Sequence, residues 1–171
     1  MKKFSIQKGF TLIELLTVIS ILSVIGIISV SIITITLRTT KKTDLLNFAR
    51  QNGDNALSQM VKSILFAASL NTPATCVPIA TVSAITITSL ADQQQTTYSC
   101  ANGTISSNSA SLFNTSSLQV SSCSFVCSQP STSVSPIITI QYVLSPKVAG
   151  SFAETNFTLP FQSSVTLRNV Q

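Results

Sequence analysis

Glu14 is the residue whose surroundings demand a chemical explanation. It sits in Gln7–Leu22, "QKGFTLIELLTVISIL", and no charged residue follows it until Arg38. A carboxylate in an apolar stretch costs roughly 2.5–3.5 kcal/mol on insertion scales, so it marks a function and calls for a cation. Lys8 lies six residues back, on a different face of a helix, and no other partner is obvious within the chain. A second reactive set is Cys76, Cys100, Cys123 and Cys127. Four thiolates match zinc's ligand number, but there are no paired CxxC knuckles and no histidine. Disulfides are the favoured reading, as expected of an even cysteine count in an exported, Ser/Thr-rich domain.

Catalysis finds little support. Without histidine there is no imidazole base. Beyond Glu14 the acids are Asp44, Asp54, Asp92 and Glu154, which are scattered with no paired spacing. No glycine-rich phosphate loop or G-x-S-x-G elbow occurs. Serine and threonine are plentiful, but a hydroxyl without a base is not a nucleophile. The chain therefore reads as a structural protein, not an enzyme, with no cofactor or metal.

The apolar run explains the composition. Only 9% of the 171 residues are charged and the formal net charge is +5. Six of the ten basic residues flank the run: Lys2, Lys3 and Lys8 before it, Arg38, Lys41 and Lys42 after it. Leu15–Leu37 is about the length that spans a ~30 Å hydrocarbon layer, so these cations read as membrane-end anchors. The region from Asn71 onward is nearly neutral, with Lys147 and Arg168 against Asp92 and Glu154, and shows no nucleic-acid footprint. The expected topology is a single pass with a cytoplasmic N-terminus and an exported remainder. An ordinary signal peptide cut near Ser29-Val30-Ser31 is the competing reading. Glu14 and the continuation of the run beyond Ser31 argue against it.

Lys2-Lys3 followed by Lys8-Gly9-Phe10-Thr11-Leu12-Ile13-Glu14-Leu15-Leu16 resembles the N-terminus of type IV pilins and of the pseudopilins of type II secretion. The resemblance is specific over Lys8–Ile25 and looser to about Leu70. It implies a leader, Met1–Gly9, removed by a membrane peptidase that also methylates the new amino terminus at Phe10. Glycine before the cut suits an extended backbone entering a narrow site. It further implies that Glu14 pairs with the Phe10 ammonium of an adjacent copy, an ion pair that gains most when close and dry. The implied partners are other copies or related subunits, a prepilin peptidase/methyltransferase, a membrane assembly platform, and lipid before assembly. The implied location is the cytoplasmic membrane, then a surface or periplasmic filament. The acid-rich calcium loop of the major secretion pseudopilin has no clear counterpart here. The alternatives are a type II secretion pseudopilin and a membrane-anchored or secreted binding domain.

The elements that must position these groups follow from periodicity. Leu45, Phe48, Ala49, Asn52, Ala56, Met60, Ile64, Leu65 and Ala68 recur at three- and four-residue steps, an amphipathic helical period. With no proline between Lys2 and Leu70, one helix of roughly sixty residues, about 90 Å long, is expected. Its parts are an apolar segment over 10–38 and an amphipathic one over 39–70, stopped by Asn71-Thr72-Pro73. Gly26 and Gly53 each weaken it by up to ~1 kcal/mol. Residues 71–171 form a β-rich domain, with alternation over Thr81–Leu90, Ser117–Val126, Ile137–Leu144 and Ser164–Leu167. Asn102-Gly103 should turn a hairpin, and Ser128–Pro136 should be a polar loop. The fold class is α+β: an antiparallel sheet wrapped on the helix. Cys76–Cys100 with Cys123–Cys127 is the preferred pairing. It requires a break after Phe125, because Cys123 and Cys127 cannot bond within one extended strand.

Overall fold

The computed structural model describes residues 9–74, 76–131, 133–147 and 156–168. Leader residues Met1–Lys8 and Glu154 lie outside them. One helix, α1 (Leu12–Leu65), begins the described chain, which divides into two compact units at Thr43/Asp44.

Within the first unit every described side chain is exposed, including Ile21, Leu22, Ile27 and Ile33. By length and composition this stretch can cross a membrane. Its polar residues are satisfied locally. The hydroxyls of Ser20, Ser23, Ser29, Ser31, Thr34, Thr36, Thr39, Thr40 and Thr43 donate to the carbonyl four residues earlier at 2.8–3.0 Å. Thr17 donates to the Glu14 carbonyl at 2.9 Å. Such back-bonding removes the cost of an unpaired hydroxyl in hydrocarbon.

In the second unit α1 buries Ala49, Gly53, Ala56, Met60 and Ile64. Their steps of three and four residues make one stripe. Nine strands follow among the described residues. The first sheet is antiparallel in the order β1-β3-β4-β5-β6, built from β1 (Ala67–Thr72), β3 (Ala84–Ser89), β4 (Gln95–Ala101), β5 (Thr104–Ser107) and β6 (Ala110–Ser111). The second, β2-β7-β8-β9, uses β2 (Ile79–Val82), β7 (Leu118–Ser128), β8 (Ile137–Pro146) and β9 (Leu159–Thr166). Ile85, Ile87, Tyr98 and Ile105 from the first sheet join Phe125, Ile138, Ile140, Tyr142 and Leu144 from the second and the helical stripe in one core.

Two tyrosines fasten helix to sheets. Tyr98 donates its hydroxyl to Ser63 Oγ at 2.8 Å, and Tyr142 donates to the Gly53 carbonyl at 2.6 Å inside the core. Gly53 is more than a weak helix former here. A Cβ at that position would overlap the Phe161 ring, which stacks on Tyr142 with centroids 5.2 Å apart.

Three expectations are corrected. The helix ends at Leu65 rather than Leu70, because Ala67–Thr72 pairs antiparallel with β3. The edge hydrogen bonds of the sheet outweigh the helix propensity of Ala67 and Ala68. Thr81–Leu90 is not one strand: Ser83 separates β2 and β3, which enter different sheets, so the helix is covered by two sheets rather than one. The last strand runs over Leu159–Thr166, starting well before Ser164 and ending before Leu167. The Asn-Gly hairpin is present, with Ala101 opposite Thr104 and positive φ at Asn102 and Gly103.

Candidate functional site

Thr11 precedes the first helical residue, and its carbonyl accepts the first helical bond, from Leu15 N–H at 3.2 Å. Glu14 stands three residues later, in the first turn. The Thr11 N–H donates to Glu14 Oε2 at 3.1 Å, and the Thr11 hydroxyl donates to the same oxygen at 3.1 Å. In return Glu14 N–H donates to Thr11 Oγ1 at 3.3 Å. This reciprocal arrangement is a capping box, in which the N-cap hydroxyl and the N3 carboxylate satisfy each other's orphan donors. A negative charge in the first turn also meets the positive end of the helix dipole.

Both side-chain bonds end on Oε2. Oε1 accepts no hydrogen bond among the described residues. The carboxylate is thus fixed in direction but has an oxygen left for a further donor. Phe10 is 83% exposed immediately before the cap, and a side chain at Gly9 would meet nothing within 4 Å. The peptide bond between them is open on all described sides. The spacing Thr11-x-x-Glu14 carried the capping signal in the sequence, but the reading of Glu14 as a lipid-buried charge passed over it.

The cysteine pairing differs from the expected one. The bonds are Cys76–Cys127 and Cys100–Cys123, with Cα separations of 5.3 and 5.9 Å. No break follows Phe125: β7 continues through Ser128 with Cys123, Phe125 and Cys127 opposite Tyr142, Ile140 and Ile138. Cys123 and Cys127 therefore share a strand about 13 Å apart and take partners from elsewhere. Cys100 belongs to β4, so its bond to Cys123 joins the two sheets.

Tyr142 and Asp92 have shifted acidities. Burial, reinforced by the Asp54 carboxylate, pushes the Tyr142 phenol well above its usual range. Asp92, at the surface, is lowered first by the Ser89 hydroxyl and then by the Gln94 N–H, which donates to Oδ1 at 3.2 Å.

Comparison with curated proteins and with solved structures returns no match. Residues 5–30 match the family model described as the prokaryotic N-terminal methylation motif. That match brackets Gly9, Phe10, Thr11 and Glu14, and with the apolar helix it fits membrane anchoring. The N-terminus of this chain carries the prepilin-type cleavage and methylation segment of type IV pilins and pseudopilins.

Proposed function

We propose that the chain is the precursor of a structural filament subunit. It enters the cytoplasmic membrane with its N-terminus inside, is cut after Gly9 and is methylated on the Phe10 nitrogen. It then assembles by packing of apolar helices, with Glu14 meeting the Phe10 ammonium of an adjacent copy. The observation that carries this reading is the state of Glu14. It is the single charge between Gly9 and Leu37, held in the first helical turn with Oε1 accepting no hydrogen bond among the described residues.

Cleavage turns a peptide nitrogen four residues before Glu14 into a cation. Two buried charges are each costly alone and are relieved only when paired at close range. An uncut precursor has no such cation, so the pair serves as a check on assembly. The processing partner is a prepilin peptidase/methyltransferase. The assembly partners are like or related subunits and a membrane platform, and the destination is a surface or periplasmic filament of the type IV pilus or type II secretion kind.

The test is the mature first residue. Mass analysis of protein from a host carrying the peptidase should find N-methylated Phe10. A chain that retains Met1, or that begins at Ile32, overturns the reading in favour of an anchored or secreted domain. Electron microscopy of the processed protein then separates long pilus fibres from a short secretion filament.

A further inference from the structure

The two disulfides are unequal in access. Cys76 and Cys127 are 2% and 0% exposed. Cys100 and Cys123 are only half-buried. Together they line a surface depression of about 160 Å³, walled on one side by the Ala101–Thr104 turn and on the other by Val120–Ser122. The second wall is a β-bulge: Val120 pairs with Leu144 and Ser122 with Val143, so Ser121 is the extra residue. Val120 N–H donates to the Gly103 carbonyl at 2.8 Å and holds the two walls together. Every lining residue is uncharged, so no carboxylate repels an approaching anion.

We propose that Cys100–Cys123 is an exchangeable bond, and that this depression admits the thiolate of an exported thiol–disulfide exchange protein, while Cys76–Cys127 is closed to it. Only the partner's compartment rests on the filament reading; the difference between the two bonds does not. In the step, the attacking sulfur bonds to Sγ of Cys100 or Cys123 and the S–S bond breaks. The displaced cysteine leaves as a thiolate and takes a proton from water. A second thiol of the partner then attacks the mixed disulfide, leaving the partner oxidised and this chain with two thiols. The reverse sequence forms the bond.

Access is one of the factors that set exchange rates, and the topology makes this opening reversible. Cys100–Cys123 is nested within Cys76–Cys127 in sequence, with separations of 23 and 51. Opening the inner bond leaves the outer loop closed. A freed Cys123 cannot attack the bond at Cys127, since about 13 Å of extended strand lies between them.

The experiment uses the full oxidised chain in detergent, treated with dithiothreitol under native conditions, quenched with iodoacetamide and mapped by peptide mass. Cys100 and Cys123 should be alkylated on the order of tenfold or more faster than Cys76 and Cys127. A thioredoxin-type dithiol protein whose second cysteine is replaced by serine should be trapped on Cys100 or Cys123. Equal labelling rates, earlier labelling of Cys76 and Cys127, or trapping on either of those two overturns the proposal. A C100S/C123S chain should lack the fast phase and keep the slow one; a persisting fast phase also overturns it. If that variant does not fold, the wild-type rates decide.

Discussion

Thr11 and Glu14 hold each other through three hydrogen bonds, and both of those that the carboxylate accepts fall on one oxygen. Thr11 fixes where the charge points, while Oε1 keeps its capacity for a donor from outside the described residues. Capping and charge pairing are therefore separable by substitution.

Glutamine at position 14 retains an oxygen for the cap but carries no charge. Glu14→Gln should leave cleavage after Gly9 and the helicity of the first turn intact, yet sharply reduce incorporation into filaments. Glu14→Ala should leave cleavage intact but lose incorporation and also the carboxylate's half of the cap, while the Thr11 hydroxyl still accepts from the N–H of residue 14. Pull-down of tagged subunits into sheared filaments, beside circular dichroism in detergent, reads the two effects. Normal incorporation of Glu14→Gln would reduce the residue to a cap.

Gly53→Ala tests the closest helix–sheet approach. On propensity alone alanine should gain up to ~1 kcal/mol. Here its Cβ would overlap the Phe161 ring, and overpacking of this kind costs about 1–3 kcal/mol. Thermal unfolding of the second unit should show a lower midpoint for Gly53→Ala, with partial recovery in a Gly53→Ala/Phe161→Leu double variant.

Tyr142→Phe removes the buried second donor to the Gly53 carbonyl and should cost about 1.5 kcal/mol, the upper end for one hydrogen bond, since that carbonyl keeps its helical N–H partner four residues on. Tyr98→Phe removes the donor to the Ser63 hydroxyl oxygen, which is only part-buried and can accept from water instead, and should cost about 0.5–1 kcal/mol. Denaturant titration of both variants gives the order.

The pH response follows from the same phenol. Its folded-state pKa is raised, so its contribution is fully present below the unfolded value near pH 10 and is lost as pH rises beyond that. Asp92 is lowered, so its contribution is present above the ordinary carboxylate range and fades as pH falls through the folded value; its full exposure keeps that effect small. Unfolding midpoints should stay nearly level from about pH 5 to 9 and fall above about pH 10. Tyr142→Phe should flatten the alkaline fall.

Much of this architecture could be read from patterns of local origin. Hydrocarbon length, the Asn102-Gly103 turn and the part of the Leu45–Ala68 stripe that holds Ala49, Ala56, Met60 and Ile64 are short-range signals that appear in the fold. The errors arose where distant chain decides. Ala67–Thr72 is a strand only because β3 offers it an edge. Ser83 divides an unbroken alternation because two sheets, not one, receive its halves. The pairing Cys123–Cys127 needs a break after Phe125, and pairing with β8 keeps β7 continuous there. At the N-terminus the methylation motif over residues 5–30 is legible in the sequence, while the part of Thr11 is not, because it is to orient another residue.

The back-bonded serines and threonines of the first unit have a mechanical consequence. Each hydroxyl brings its acceptor with it, so exchanging one set of neighbours for another breaks no polar contact and creates no orphan. Between Leu15 and Leu37, where no charged residue stands, a lengthwise shift of the helix past its surroundings therefore works against dispersion forces rather than polar contacts, and the charges that can arrest it lie at the two ends of that stretch, Glu14 and Arg38.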